Sequence, residues 1–433
     1  MSEGLRRGQG APHADGSERS SRPRWVSKTV ASIAAVVLLG GGIAAFAVTS
    51  STTTTSTTLP VLQVTTTTLT SQSASAVLAA GPDQSNAPLF PISGGATSGY
   101  GGLNAVSCGS TSSCVAVGAD NSLRGAASLS TDGGTTWKTV SVPAGTPELD
   151  GTSCPDSSHC VAVGRGAIAH SSDGGSSWSI SAIPVAETTM IGVDCSSTST
   201  CVASGVTANP TGAYGGALLR STDAGSTWSA TTVPQGAGGL GAVACPTAST
   251  CIAVGASVVV SHDGGVTWSQ VGVPGGIQQL MSISCSSSTS CVAIGPNPAG
   301  AINPSAMAQA ILTTDGGVSW SALSLGSGSA SLSSVSCAST TSCVAVGAAT
   351  SSTAPVPYFS STDGGKSWGS SATAPQGFSM ISRLDCVGST HCVAVGRQSS
   401  GVAGSSATTD GTSWQTTSDG QFATMPTSMM VGS

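Results

Sequence analysis

Residues 108–137 read CGSTSSCVAVGADNSLRGAASLSTDGGTTW, and this stretch decides the fold because it recurs. Its first half is a cysteine pair spaced C-x5-C, followed by V-A-V-G. The chain's 14 cysteines form seven such pairs: Cys108 with Cys114, Cys154 with Cys160, Cys195 with Cys201, Cys245 with Cys251, Cys285 with Cys291, Cys337 with Cys343 and Cys386 with Cys392. The theme after the second cysteine is CVAVG at 114, 160, 343 and 392, CIAVG at 251, CVAIG at 291 and CVASG at 201. The second half, STDGGTTW at 130–137, returns as SSDGGSSW (171–178), STDAGSTW (221–228), SHDGGVTW (261–268), TTDGGVSW (313–320), STDGGKSW (361–368) and a shortened TTDGTSW (408–414). Seven of the eight tryptophans close a copy of it; Trp25 is the exception.

Repeats of this period mean stacked supersecondary units. An aspartate can accept backbone N–H groups within a turn, glycine supplies positive φ, and tryptophan anchors the turn to a sheet face. Strand A ends at the first cysteine, as in LNAVSC, and strand B begins at the second. Strand C runs into the aspartate turn and strand D leaves it, as in WKTVSVP. Four strands per 40–52 residues is the size of a propeller blade. The expectation is an all-β, seven-bladed β-propeller of four-stranded antiparallel blades over 86–420, with a tail at 421–433.

Spacing locates the variation. From the strand-B glycine to the turn aspartate the interval is 14, 9, 18, 8, 20, 16 and 14 residues along the chain. The interval from tryptophan to the next first cysteine is 17 residues in five cases and 18 in the sixth. In a meander the A–B and C–D turns share one face, and the B–C and D–A connections share the other. Insertions therefore gather on the B–C face, where function is expected.

The S-x-D-x-G-x-x-W pattern, in seven copies, resembles the Asp-box, or BNR repeat, of sialidase-like β-propellers. The resemblance covers about residues 100–420. It implies structural roles for Asp132, Asp173, Asp223, Asp263, Asp315, Asp363 and Asp410, and for Trp137, Trp178, Trp228, Trp268, Trp320, Trp368 and Trp414. Sialidases also carry an arginine triad, a Tyr–Glu nucleophile pair and an Asp acid/base. This chain has no Arg-Ile-Pro motif, and no triad maps onto it residue by residue. Similar propellers serve as surface binding modules and as membrane-complex assembly factors, including a photosystem-assembly family, although the Arg-rich patch expected of such a factor is missing.

Each cysteine pair brackets a five-residue, Ser/Thr-rich turn, and facing positions across a short hairpin lie within disulfide reach. Seven bridges within the blades are the favoured reading, with reduced buried thiols and metal binding as alternatives. No metal and no cofactor is expected.

Only 7% of the 433 residues are charged, and Lys+Arg is 13 against 19 acidic residues. A nucleic-acid binder needs a basic stripe, which this chain lacks. Four glutamates exclude a coiled coil, and 39% hydrophobic residues exclude charge-driven disorder. Residues 1–28 carry net +3, as a cytoplasmic basic tail. Residues 29–49, TVASIAAVVLLGGGIAAFAVT, are uncharged and long enough for one transmembrane helix acting as a signal anchor. The competing reading is a secretory signal cleaved after Ala47 within Ala45-Phe46-Ala47. Either way the remainder is exported, as expected of a bacterial surface protein. Residues 50–85, rich in Ser and Thr, read as a disordered linker.

Residues that break the repeat are the functional candidates. The position before the first cysteine is Ser, Ser, Asp, Ala, Ser, Ser, Asp, so Asp194 and Asp385 stand out. With Glu148 and Glu187 they form the pool of carboxylates from which a glycosidase would draw its pair. Arg383 precedes Asp385 by two residues, and Arg165 and Arg397 follow strand-B glycines. Tyr214, Tyr358 and Phe359 lie in long B–C insertions. These six are ligand-binding candidates. His159 and His391 precede second cysteines and read as exposed turn residues. The expectation is a monomeric cell-surface propeller that binds a glycan or protein. The alternatives are a sialidase-like glycoside hydrolase and a membrane-complex assembly factor.

Overall fold

The computed structural model describes residues 35–39, 42–46 and 102–418, apart from 209–213, 298–306, 328, 330, 352–353, 371–373 and 389. The chain divides into two units, Met1–Ala87 and Pro88–Ser433. In the first, two paired strands, Ala35–Leu39 and Gly42–Phe46, stand where the sequence leads one to expect a helix. The rest of 29–49, and all of 1–28, 50–85 and 421–433, lie outside the described residues. Among the described residues no helix is long and apolar enough to cross a membrane. The span therefore stands as a proposal.

The second unit consists of seven four-stranded antiparallel sheets. The first is Leu103–Cys108, Cys114–Ala119, Gly125–Ser130 and Lys138–Val140. The last is Phe378–Val387, His391–Gln398, Ala403–Thr408 and Gln415–Ser418. Every blade follows chain order, A-B-C-D. The seventh is complete despite its shortened turn, and its strand D comes from the residues after Trp414. Residues 86–100 lie outside the described residues.

All seven disulfides form within blades, with Cα–Cα separations of 3.9–4.2 Å. Cys108 is bonded to Cys114, Cys154 to Cys160, Cys195 to Cys201 and Cys245 to Cys251. Cys285 is bonded to Cys291, Cys337 to Cys343 and Cys386 to Cys392. The alternatives of reduced thiols and metal ligation give way to these bridges, since no cysteine is free. The core reading nevertheless holds in one respect. The second cysteines, at the head of strand B, are all buried: Cys114, Cys160, Cys201, Cys251, Cys291, Cys343 and Cys392. In blades one, three, five, six and seven the two cysteines face each other across the A–B ladder. Each bridge thus pins the hairpin that starts a blade.

Strand B is buried along its whole length in blades one, two and four to six. Both of its faces pack against neighbouring blades, so it reads as a continuous apolar run rather than an alternation. The core is correspondingly divided into seven clusters, one per seam between blades. The cluster at the seventh–first seam joins Val393, Val395 and Ala407 to Leu103, Val106 and Ala116. Among the described residues, this packing closes the ring without any exchange of strands.

Close approach explains the glycine ending V-A-V-G. A Cβ on Gly164 would stand 2.0 Å from the carbonyl oxygen of Glu148, and one on Gly295 would stand 2.1 Å from that of Gln279. The chain entering strand A presses directly on strand B there.

Candidate functional site

The seven turn aspartates are occupied by their own turns. Asp263 Oδ1 accepts the Ser261 hydroxyl at 2.8 Å and the Thr267 N–H at 2.9 Å, and its Oδ2 accepts the Thr267 hydroxyl at 2.5 Å. The Trp268 indole N–H then donates to Gly265 O at 3.1 Å. The same set recurs around Asp132, Asp223 and Asp363. These bonds, the Thr267, Ser319 and Ser367 hydroxyls foremost, hold Asp263, Asp315 and Asp363 down at about 2. They favour the ionised form, as carboxylates accepting several donors do.

The residue before each first cysteine belongs to a relay around the ring. Ser107 Oγ accepts the N–H of Cys154 in the next blade at 3.0 Å, and Ser153 Oγ accepts that of Cys195 at 3.1 Å. Asp194 Oδ2 takes Cys245 N–H at 2.6 Å. Ser284, Ser336 and Asp385 take Cys337, Cys386 and Cys108 at 2.9, 3.0 and 2.7 Å. Ala244 has no oxygen to offer Cys285. Asp194 and Asp385 are thus members of a structural ring as well as repeat-breaking residues.

Both carboxyls are raised above their ordinary range, Asp385 to about 6, chiefly by burial. Both are half-buried on the innermost strands, where they line the central channel of the ring. Two backbone N–H bonds oppose the shift at Asp385, and the neighbouring charge of Asp194 reinforces it.

Arg383 also lines the channel, and its guanidinium crosses to blade five, where Nη1 donates to Met281 O at 3.4 Å. Burial pushes the guanidinium downward, and Asp150 opposes that shift. Asp150 itself is pushed up to about 7, first by burial and then by the charge of Glu148, against the attraction of Arg165 and Arg383. Asn104 Nδ2 donates to Glu148 Oε1 at 2.9 Å and to Leu149 O at 3.0 Å.

Asp150 and Asn104 are absent from the sequence-based candidates. Each stands four residues before a first cysteine, at a point where the A–B register slips by one: Leu103/Ala105 and Leu149/Gly151. Four other blades slip at the same place. A bulge of this kind re-aims one side chain per strand. Aligning that column gives Asn104, Asp150, Ile191, Gly241, Met281, Ser333 and Ser382, with Asp150 its single charge.

On the variable face the candidates separate. Arg165 and Glu187 are both exposed and line one depression of about 420 Å³, together with Ile183 and Val185. It lies where the B–C connection is only Arg165-Gly166, and the backbone of Arg165 bridges to Thr189 of the next blade. Glu187 holds φ at 53°, unusual for a residue with a side chain. Tyr214 opens strand C of blade three and is 49% exposed. Arg397 is half-buried opposite Met380.

Three expectations need correction. Tyr358 and Phe359 are not loop residues: they lie in strand C of blade six, 6% and 4% exposed. Tyr358 packs edge-on against Trp414 at 6.1 Å, and burial pushes its phenol up to about 12. Adjacent strand residues point to opposite faces, and both faces of this blade are packed: Tyr358 enters the seam with blade seven and Phe359 the seam with blade five. His391 is buried as well, tucked beneath Gly133 of the first blade, whereas His159 is half-buried and pairs with Asp156 at 3.1 Å.

No protein-family profile matches the chain, and no curated protein matches it. Solved structures do. YCF48 bound to a D1 peptide is 16% identical, with a TM-score of 0.52 over 72% of this chain and 92% of that one. YCF48 from Cyanidioschyzon merolae is 14% identical, with a TM-score of 0.51 over 69% and 94%. A GH74 xyloglucanase from Xanthomonas campestris is 15% identical, with a TM-score of 0.51 over 75% of this chain and 54% of the enzyme. At these identities the likeness is one of fold.

Proposed function

We propose that this chain is a binding or scaffolding propeller held outside the membrane by residues 29–49, and that it recognises a protein or glycan partner through its variable-loop face. The observation that carries this reading is the apolar and charged surface exposed on that face. Leu123, Val185, Tyr214 and Met307, four of seven exposed large apolar side chains among the described residues, stand on or beside B–C or D–A connections. Arg165 and Glu187 share a depression there with no ion pair between them. Exposed apolar groups beside unpaired charge mark interaction surfaces. Structurally similar propellers include one with a bound peptide, which supports a protein ligand over a glycan. Seven disulfides suit an oxidising compartment.

The glycosidase alternative draws its carboxylates from Asp194, Asp385, Glu148 and Glu187. The first two hold backbone N–H groups of the next blade, a task that leaves them poorly placed to flank a glycosidic bond. Peptide and glycan arrays probed with the wild-type chain, and then with Arg165→Glu and Tyr214→Ala, test the reading. The expected result is a signal lost in both variants. A signal indifferent to both would overturn the face assignment. Hydrolysis of a polysaccharide panel, abolished by Asp385→Asn, would instead establish the enzyme.

A further inference from the structure

Arg220 breaks a column of the repeat whose ordinary task is packing. The residue just before each aspartate turn is Leu129, His170, Arg220, Val260, Leu312, Ser360 and Ala407 in chain order, so only blade three places a permanent cation there. The position covers a turn glycine of the next blade. A Cβ on Gly225 would stand 3.3 Å from His170 Cβ, one on Gly317 would stand 3.2 Å from Val260 Cγ2, and one on Gly265 would stand 3.7 Å from Arg220 Cδ. Uncharged groups meet this need at the other seams, and the methylene stem of Arg220 meets it here. The packing task thus leaves the guanidinium unexplained.

That guanidinium is held in one orientation. Arg220 is half-buried, and its Nε–H donates to Gly264 O in the aspartate turn of blade four at 2.7 Å. The bond uses one of five N–H donors. The four on Nη1 and Nη2 make no hydrogen bond among the described residues. No carboxylate stands within ion-pair distance either, since the single ion pair among the described residues is His159–Asp156. A fork clamped through Nε and free at both Nη atoms is prepared for a bidentate partner.

Arg220 lines a depression of about 310 Å³ that runs from strand D of blade three, Ser229–Ala230, to Val266 in the turn of blade four. The rest of the wall is rich in hydroxyls. Thr222, Ser229 and Thr232 are exposed, and their side chains make no hydrogen bond among the described residues. Val266, 52% exposed, supplies an apolar wall. No acidic side chain lines the depression. Asp223, next to Thr222, has both carboxylate oxygens engaged within its own turn by Ser221 and Thr227. The wall therefore offers many donors and one fixed positive charge.

We propose that this depression binds a phosphate or sulfate group, with the Arg220 fork across two of its oxygens and the hydroxyls of Thr222, Ser229 and Thr232 around it. A tetrahedral oxyanion supplies what the wall lacks: negative charge and several acceptors at once. A bare anion fills only part of the space, since a water takes about 30 Å³, and the exposed Val266 beside the hydroxyls suits a sugar carrying the group. The site stands on the aspartate-turn side of the ring and is independent of the variable-loop reading.

The group can arrive as a free ion or as a monoester on a sugar. Titration calorimetry of the full-length chain with inorganic phosphate, inorganic sulfate, glucose 6-phosphate and glucose 6-sulfate separates the two, with glucose as the neutral control. At least one anion should bind while glucose does not, and added sodium chloride should weaken the binding. Tighter binding of the esters assigns the sugar-borne source, and equal binding assigns the free ion. Arg220→Leu installs the residue of blades one and five, keeps an apolar cover over Gly265 and should weaken binding by about tenfold or more, with an unchanged unfolding midpoint. Arg220→Lys keeps the charge without the fork and should weaken binding several-fold. Should Arg220→Leu misfold, Ser229→Ala/Thr232→Ala changes only exposed positions and should also weaken binding several-fold. No anion binding by the wild-type chain, binding undiminished in Arg220→Leu, or equal binding of glucose would overturn the proposal.

Discussion

Asp385 Oδ2 accepts the backbone N–H of Cys108 at 2.7 Å, across 277 residues of sequence. This one bond joins the innermost strand of the last blade to that of the first. Around it lie the cluster of Val393, Leu103 and Ala116, and the Thr417 hydroxyl donating to Thr135 O at 3.1 Å. The ring is closed by side chains and packing, with each blade complete in itself.

The closing bond can be probed by substitution. Asp385→Ala removes the acceptor and should lower stability by about 1–3 kcal/mol. Asp385→Ser restores the residue type found at four other seams and should recover most of that loss. Denaturant unfolding midpoints check both. Equal losses in the two variants would mean that the cap contributes nothing.

Stability should fall as pH rises from about 4 to about 7. The folded-state values of Asp385, about 6, and Asp150, about 7, lie above the unfolded value of 3.8. Between those limits the folded chain binds more protons than the unfolded one, so raising the pH costs stability. The turn aspartates act in the opposite direction at lower pH. Asp263, Asp315 and Asp363, near 2, contribute stability above 3.8 that is lost as pH falls toward 2. His391 is depressed by burial and favours the folded state as pH rises through its range, a smaller opposing slope. Melting temperatures across pH 3–8 should peak near pH 4, and Asp385→Asn should flatten the slope above that peak.

The aspartate turn is a backbone motif with measurable strain. Ala224 occupies a place where the six other blades have a glycine at φ of 70–75°, and its own φ is 60°. Ala224→Gly should therefore raise stability, by about 1 kcal/mol. Gly265→Ala should do the reverse, by about 2 kcal/mol, because its φ is 86° and a Cβ would stand 2.7 Å from Val202 Cγ2. Gly272, with open space around it, is the control for the thermal melts.

Each disulfide closes a loop of about seven residues, so removing the bridge between Cys285 and Cys291 by a double alanine substitution should cost roughly 2 kcal/mol. Thiol titration of the denatured, unreduced chain should find no free thiol. About fourteen thiols would return the cysteines to the core-residue reading.

Much of the frame was legible before any coordinates. The cysteine pairs, the V-A-V-G runs and the Asp–Trp turns have local physical causes, and each copy confirms the next. The site was less legible. Tyr358 and Phe359 read as loop insertions because the long B–C interval hides where strand C begins, and strand C absorbs them. Asp150 went unnoticed because the bulge before Gly151 leaves no mark in one blade's sequence and emerges only from aligning seven.

The sequence alone determined the number of blades, the pairing of cysteines and the face on which length varies. These follow from spacing, and short-range geometry dictates spacing. Only the tertiary structure decided which charges meet. Asp194 and Asp385, from blades three and seven, line one channel, and Arg383 reaches Met281 O from 102 residues away. Such encounters depend on ring closure and on one-residue shifts of register, which turn a side chain from one surface to another without altering the repeat.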